Sequence, residues 1–329
     1  MRREADSMTP DGLGFGAATI GNLYRAVSDE TAHATVDAAW KAGVRYFDTA
    51  PHYGLGLSEH RLGVALAHRP RADFLVSTKV GRWLEPSSQS GSDLRFGGYD
   101  VPAAFRRVWD FSADGVQRSL EASLLRLGMD RIDIVYLHDP DDHWTEAVSE
   151  AYPALAELRA QGVIGRIGVG MNQWEMPARF VRETDIDFVM LAGRYTLLEQ
   201  PALPELLPLC VERGVSVIAA AVFNTGLMSR PEVGDDARYN FTQSPPEQLA
   251  RARRLAAICA RHDVVLPQAA IQFPLAHPAV TAVVIGARTA EQMADSAALM
   301  NAPVPEELWD DLRAEGFLAD DVPVPAASR

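Results

Sequence analysis

Short apolar runs alternate along the chain with longer segments whose apolar residues recur at helical spacing. The runs are Leu13–Phe15, Val44–Phe47, Phe74–Ser77, Ile132–Tyr136, Ile167–Gly170, Phe188–Leu191, Val215–Ala219 and Val283–Ile285. Most are continuously apolar rather than alternating, as strands buried on both faces of a parallel sheet should be. Between them, Asp29–Ala42, Ala113–Leu127 and Pro246–His262 read as helices. In the second of these, Val116, Leu120, Leu124 and Leu127 fall on one face. Ser28 or Asp29 caps the first helix, and Gly43 and Gly128 stand where helices should stop. Eight strand-then-helix units in series predict an α/β chain folded as a single (β/α)8 TIM barrel over residues 10–318, with 1–9 and 319–329 as free ends. A doubly wound sheet is the alternative. Its G-x-G-x-x-G turn is not completed, because Gly12, Gly14 and Gly16 are followed by Thr19 at the next required position.

Two segments interrupt the rhythm. Residues from about Gly81 to Asp110 include the run Ser87-Ser88-Gln89-Ser90-Gly91-Ser92, and Ser229–Ser244 forms a second excursion. Loops of that length are expected to act as lids or binding loops. Hydrophobic residues make up 47% and charged residues 23% of the 329, which argues against disorder. The net charge of -13 repels phosphate backbones and anionic lipid, so neither nucleic acid nor membrane is expected as a partner. No apolar run reaches 18 residues, and Met1-Arg2-Arg3-Glu4 leads into no apolar segment, so cytoplasm is the expected compartment. Cys210 and Cys259 both lie in apolar helical stretches and read as reduced core thiols. No apolar stripe sets an oligomeric state.

Reactive groups of a barrel sit at the C-terminal ends of its strands. The second strand ends in Asp48, with Tyr53 five residues on; the third ends in Lys79, the fourth in His138, and Asn172 and Gln173 follow the fifth. An acid, a phenol, an amine and an imidazole thus converge from consecutive strands. A free phenol titrates near pH 10, and a neighbouring ammonium is expected to lower that value. Asp48 would hold the ammonium, and His138 would hydrogen-bond the substrate oxygen. Such a set moves a proton at an oxygen while hydride moves at the carbon, a contribution of about 10²–10⁴-fold in rate. Zinc, P-loop and G-x-S-x-G patterns are absent, and Asp139–His143 reads as a solvated turn rather than a metal site.

Four motifs, in order, resemble the aldo-keto reductases. Phe47-Asp48-Thr49-Ala50-Pro51-His52-Tyr53-Gly54 with Ser58-Glu59 is similar to that family's second-strand signature. Ser77-Thr78-Lys79 resembles its lysine strand, Tyr136-Leu137-His138 its histidine strand, and Gly165–Asn172 its fifth strand. The resemblance spans roughly residues 10–315. It implies a nicotinamide cofactor, Tyr53 as general acid/base, Lys79 and Asp48 as its tuning pair, His138 as substrate orienter, and Asn172 on the nicotinamide carboxamide. It also implies Phe223, Gly226, Leu227, Gly286, Arg288 and Gln292 as cofactor contacts. His52, Trp83 and Trp144 are the candidate substrate wall.

The chain departs from the family pattern at three places. Ala192 stands where many members have a glutamine, and Phe223 lies near the usual stacking tyrosine. Ile285–Gln292 keeps only Arg288 among the groups that grip a 2′-phosphate, so NAD is preferred over NADP. Gly16–Leu23, Val222–Gly226 and His138–Trp144 resemble a narrower subgroup, the D-threo-aldose 1-dehydrogenases (L-fucose dehydrogenases). That subgroup implies oxidation of an aldopyranose at C1 to the lactone, with a small sugar or aldehyde as the substrate. The alternatives are an NADPH-dependent aldehyde or ketone reductase, a pyridoxal 4-dehydrogenase, and a cofactor-binding regulatory subunit.

Overall fold

The computed structural model describes residues 9–326, so residues 1–8 and 327–329 of the expected free ends lie outside the described residues. Twelve strands follow one another among the described residues: β1 (Gly12–Gly16), β2 (Tyr46–Asp48), β3 (Leu75–Val80), β4 (Arg82–Pro86), β5 (Phe105–Trp109), β6 (Ile132–His138), β7 (Ile164–Met171), β8 (Phe188–Ala192), β9 (Ser216–Ala220), β10 (Arg238–Tyr239), β11 (Thr242–Gln243) and β12 (Val280–Ile285). Eight of these form a closed parallel barrel in the order β1-β12-β9-β8-β7-β6-β3-β2. They are the eight apolar runs, most of them lengthened by a few polar or small residues. β3 extends through Lys79 to Val80, and β6 through His138.

The chain divides into two compact units. The first runs through Gly170 and takes in Gly286–Met293. Within it, β1 to β2 aligns Gly16 with Asp48, β2 to β3 aligns Asp48 with Ser77, and β3 to β6 aligns Lys79 with Tyr136. Phe47 meets both Phe15 and Phe74 edge-to-face at 6.3 Å between ring centres, a geometry that suits the aromatic quadrupole. The helices of this unit include α1 (Asp29–Lys41), α2 (Leu57–Leu66) and α3 (Ala113–Leu127). The Ser28 hydroxyl accepts from Thr31 N at the start of α1, and Ser112 accepts from Gly115 N at the start of α3. Gly128 ends α3 in the left-handed conformation.

The segment 81–110 is not an unstructured loop. β4 and β5 pair antiparallel, Arg82 opposite Trp109 and Pro86 opposite Phe105. The pairing strands are separated by 18 residues carrying no two-residue turn, and their side chains are part-exposed, so neither hairpin chemistry nor apolar continuity marks them.

The second unit holds Met171–Ile285 and Ala294 onward. There β8 pairs with β9 (Leu191 with Ala219) and β9 with β12 (Ala219 with Val283). Cys210 and Cys259 are free, buried thiols, pushed up to about 12 by burial. The excursion after β9 contains the short β10–β11 pair. Near the C-terminus Val322 is buried, and its carbonyl accepts from Arg313 Nη2 at 3.3 Å.

Candidate active site

In the first unit, β2, β3 and β6 deliver Asp48, Lys79 and His138 to one face of the sheet, all buried. Lys79 Nζ donates to Asp48 Oδ1 at 2.8 Å, to Oδ2 at 2.7 Å and to the Thr49 carbonyl at 2.9 Å. Burial pushes the Asp48 carboxyl up, while the Lys79 ammonium and the Ser77 hydroxyl pull it down. The two form a buried ion pair with three short hydrogen bonds from the ammonium.

Tyr53 is set by the turn that follows β2. Its N–H donates to Ala50 O at 3.0 Å, and its carbonyl accepts from Ser58 N at 3.2 Å as α2 begins. The next residue, Gly54, has φ +64°, and a Cβ there would lie 2.2 Å from the Gly21 carbonyl oxygen, so only glycine allows this approach. The half-buried ring of Tyr53 lies 4.7 Å from Lys79 Nζ, measured to the ring centre. It sits edge-on to His138 at 6.0 Å and to His52 at 5.9 Å, and stacks on Tyr99 at 6.2 Å. His52 in turn meets His138 at 5.7 Å. The structure therefore brings Asp48, Tyr53, Lys79, His138 and His52 together.

The electrostatics of the phenol differ from expectation. Tyr53 is held well above its ordinary value, first by burial and then by Asp48 and Asp139; the cation that opposes this is Arg82. The Lys79 charge is spent on the two Asp48 oxygens, which is why its presence does not produce the expected lowering. Burial also holds His138 and His52 well below the usual histidine range, with Arg82 the next cause for both, so both imidazoles are neutral near pH 7.

Residues that the pattern along the chain did not single out complete the cluster. Arg82 of β4 is ion-paired with Asp139, whose Oδ2 is 3.6 Å from His138 Nε2. Asp139 itself is not solvated, since its side chain is 14% exposed and its backbone N–H donates to Gly170 O, whereas Asp141 and Asp142 form the exposed turn that the run predicts. Arg107 of β5 forks onto both Asp93 oxygens at 2.7 Å and donates to the His52 carbonyl at 3.0 Å. The hairpin therefore clamps the His52 end of the site. Its one sequence signal was the length of the excursion after the third strand.

The remaining candidates are placed as follows. Trp83 stacks under the Arg118 guanidinium of α3 at 5.2 Å, and Trp144 is half-buried at the start of Trp144–Glu146. Gly286 is exposed, and a Cβ there would come to 3.1 Å of Thr19 Cγ2, while Thr19 Oγ1 donates to Ala287 O at 2.6 Å. Arg288 is half-buried, lowered first by burial and then by Arg25, and its Nη1 is buried with no hydrogen-bond partner among the described residues. Its backbone N–H donates to Gln292 Oε1 at 2.9 Å. An open glycine backbone beside an unsatisfied guanidinium fits a dinucleotide phosphate. In the second unit, the Asn172 carbonyl accepts from Arg194 Nε at 2.8 Å. Phe223 is half-buried in a turn whose Ala221, Asn224, Thr225 and Gly226 all have positive φ, while the Leu227 side chain is fully buried.

A family model described as "Aldo/keto reductase family" matches residues 12–315. The chain is 50% identical over 304 residues to D-threo-aldose 1-dehydrogenase from Pseudomonas sp, covering 91% of this chain and 92% of that protein. It is 39% identical to pyridoxal 4-dehydrogenase from Microbacterium luteolum over 330 residues, 95% of this chain and 96% of that one. The solved glycerol dehydrogenase of Gluconobacter oxydans shares the fold, with a TM-score of 0.77 over 99% of this chain and 97% of that chain at 23% identity. No helix among the described residues is long and apolar enough to cross a membrane.

Proposed function

Since the chain belongs to the aldo/keto reductase family and is an oxidoreductase that uses a nicotinamide cofactor, we propose that it oxidises C1 of an aldopyranose to the lactone. The sugars are of the L-fucose, D-arabinose or L-galactose type, and NAD⁺ is the preferred acceptor. The observation that carries the reaction class is the buried Lys79–Asp48 pair beside the half-buried Tyr53 and a neutral His138. The substrate class rests on the 50% identity to the Pseudomonas aldose dehydrogenase.

The nicotinamide, when bound, supplies the hydride acceptor. Everything else falls to side chains of this protein. Tyr53 takes the proton of the anomeric hydroxyl, and His138, being neutral, offers one N–H to the same oxygen. Arg82 is the cation that draws the phenol toward the phenolate that proton transfer requires, and the charged Lys79 lies against its ring, 4.7 Å from the centre. Asp48 fixes that charge in place. Arg288 and the Gly286 backbone would meet the dinucleotide phosphates. One cation in Ile285–Gln292 is the ground for preferring NAD⁺ over NADP⁺. Cytoplasm remains the expected compartment.

The test is initial-rate production of NADH and NADPH with a panel of aldoses plus pyridoxal, for wild type and Tyr53→Phe. The reading expects NAD⁺ reduction with one stereochemical set of sugars. In Tyr53→Phe, kcat should fall by about 10²–10⁴-fold with cofactor binding kept. Near-normal turnover by that variant would sink the assignment. Pyridoxal is the second reading, favoured by the 39% identity to the Microbacterium enzyme, and its selective oxidation would replace the sugar.

A further inference from the structure

Two residues before each site residue, on the same face of the same strand, stands a buried hydroxyl. Tyr46 precedes Asp48 on β2, Ser77 precedes Lys79 on β3, and Tyr136 precedes His138 on β6. Parallel pairing levels these strands against one another, Asp48 with Ser77 and Lys79 with Tyr136. A layer of three hydroxyls therefore lies directly beneath the reacting layer. Ser77 Oγ donates to Asp48 Oδ1 at 2.7 Å, Tyr46 Oη lies 2.9 Å from Ser77 Oγ, and Tyr136 Oη lies 3.1 Å from Tyr46 Oη.

The direction of this chain follows from proton counting. A carboxylate only accepts, and each hydroxyl has one proton to give. Ser77 gives its proton to Asp48, so it must accept from Tyr46. Tyr46 has then spent its proton and must accept from Tyr136. Burial holds both phenols above their ordinary range, so both remain donors at working pH. Every dipole in the row points at one anion, and such rows strengthen cooperatively.

We propose that Tyr136, Tyr46 and Ser77 are positioning residues: a one-way donor chain that holds the Asp48 carboxylate, and through it Lys79, in the orientation that the Tyr53 chemistry requires. None of the three touches the reacting atoms in the reading above, on which this inference rests. The groups around the Asp48 carboxylate are Lys79 on β3, Tyr53 in the following turn, and Tyr46 and Tyr136 below. His138, Asp139 and Arg82 lie across the Tyr53 ring, with His52 and Arg107 beyond them. Of these contacts, only the chain and Lys79 donate to the carboxylate.

The experiment compares Ser77→Ala, Tyr46→Phe and Tyr136→Phe by the pH profile of kcat/KM. A second readout, free of turnover, is the infrared band of the protonated Asp48 carboxyl, assigned by its loss in Asp48→Asn. A donor to a carboxylate stabilises the charged form, so its removal lets the proton on at higher pH. Ser77→Ala is expected to move the acid limb and the infrared titration upward in pH. It should lower kcat/KM about 10-fold, Tyr46→Phe about 3-fold, and Tyr136→Phe less than about 2-fold, the order set by distance along the chain. Ser77→Thr should restore the profile. An unmoved acid limb and an unmoved carboxyl band in both Ser77→Ala and Tyr46→Phe would overturn the chain; the phenylalanine variants each remove a single oxygen, so they report even where Ser77→Ala fails to fold. Full turnover in Tyr53→Phe would instead overturn the reaction assignment, and the infrared band would still report on the chain.

Discussion

Strand β3 carries a buried carboxylate partner on each of its faces, and the two are used differently. On one face Lys79 meets Asp48. On the other, Thr78 Oγ1 donates to Glu59 Oε1 at 2.6 Å, while Arg126 Nε donates to Glu59 Oε2 at 2.6 Å. Both acids are almost fully buried, and both pairs are short. The Glu59 pair joins three elements, since Glu59 is on α2, Thr78 on β3 and Arg126 on α3. Its guanidinium also reaches Ser123 Oγ at 3.2 Å, so its fork is occupied by structure. The Asp48 pair uses a lysine, a compact charge that holds a carboxylate and a carbonyl while still lying against the Tyr53 ring. A buried ion pair is therefore a clamp or a reagent according to what its cation faces.

The sharpest way to break this contrast is to remove the cation of the inner pair. Lys79→Met is expected to cut kcat/KM by about 10²–10⁴-fold, because the buried Asp48 carboxylate, which already raises the phenol, is left uncompensated beside it. Steady-state rates on the best sugar of the panel measure it. A variant that lost only thermal stability and kept its rate would make Lys79 a clamp like Arg126. The reciprocal change, Glu59→Ala, should act on the fold. It strands a buried threonine hydroxyl and an arginine whose side chain is 26% exposed, and should cost about 3 kcal/mol of unfolding free energy, the low end for a broken buried pair. Denaturant melts should show that loss, with kcat/KM within about 3-fold of wild type once the protein is folded. A large rate loss at full stability would place Glu59 in the reacting machinery.

That contrast also marks what was legible in the sequence. The eight apolar runs identify the barrel strands because burial on both faces leaves few polar positions. Asp48, Lys79 and His138 stand out because each ends such a run. Period-2 alternation then separates the faces of β3: Ser77 and Lys79 fall on one, Thr78 on the other. What Thr78 touches is not written there, because Glu59 and Arg126 lie 19 and 48 positions away and come together only when α2 and α3 pack. The same holds for Arg82 and Asp139, 57 positions apart, whose ion pair forms because Arg82 stands on a hairpin that has no apolar pattern. The acidity of Tyr53 failed to follow from composition for a different reason. A nearby lysine lowers a phenol only as far as its charge is not neutralised and the ring is solvated, and here Asp48 and burial remove both conditions.

The smallest expected effect concerns the histidines of the inner face, which have no counterpart beside Glu59. His52 and His138 are held well below the usual range in the fold, chiefly by burial and then by Arg82, and His277 is held below it by burial alone. Unfolded, each binds a proton near pH 6.5. Below that pH the unfolded state takes up protons that the folded state refuses, so the unfolded state is favoured as pH falls. Stability is therefore full above about pH 7 and declines as pH drops through 6.5, by up to about 1.4 kcal/mol per pH unit for each histidine, until the folded-state values are reached. Urea melts from pH 7.5 to 5.5 would measure the slope. His138→Asn should reduce it by the share of one histidine while His277 keeps its own share, and an unchanged slope in that variant would mean that His138 accepts its proton within the fold at the ordinary pH.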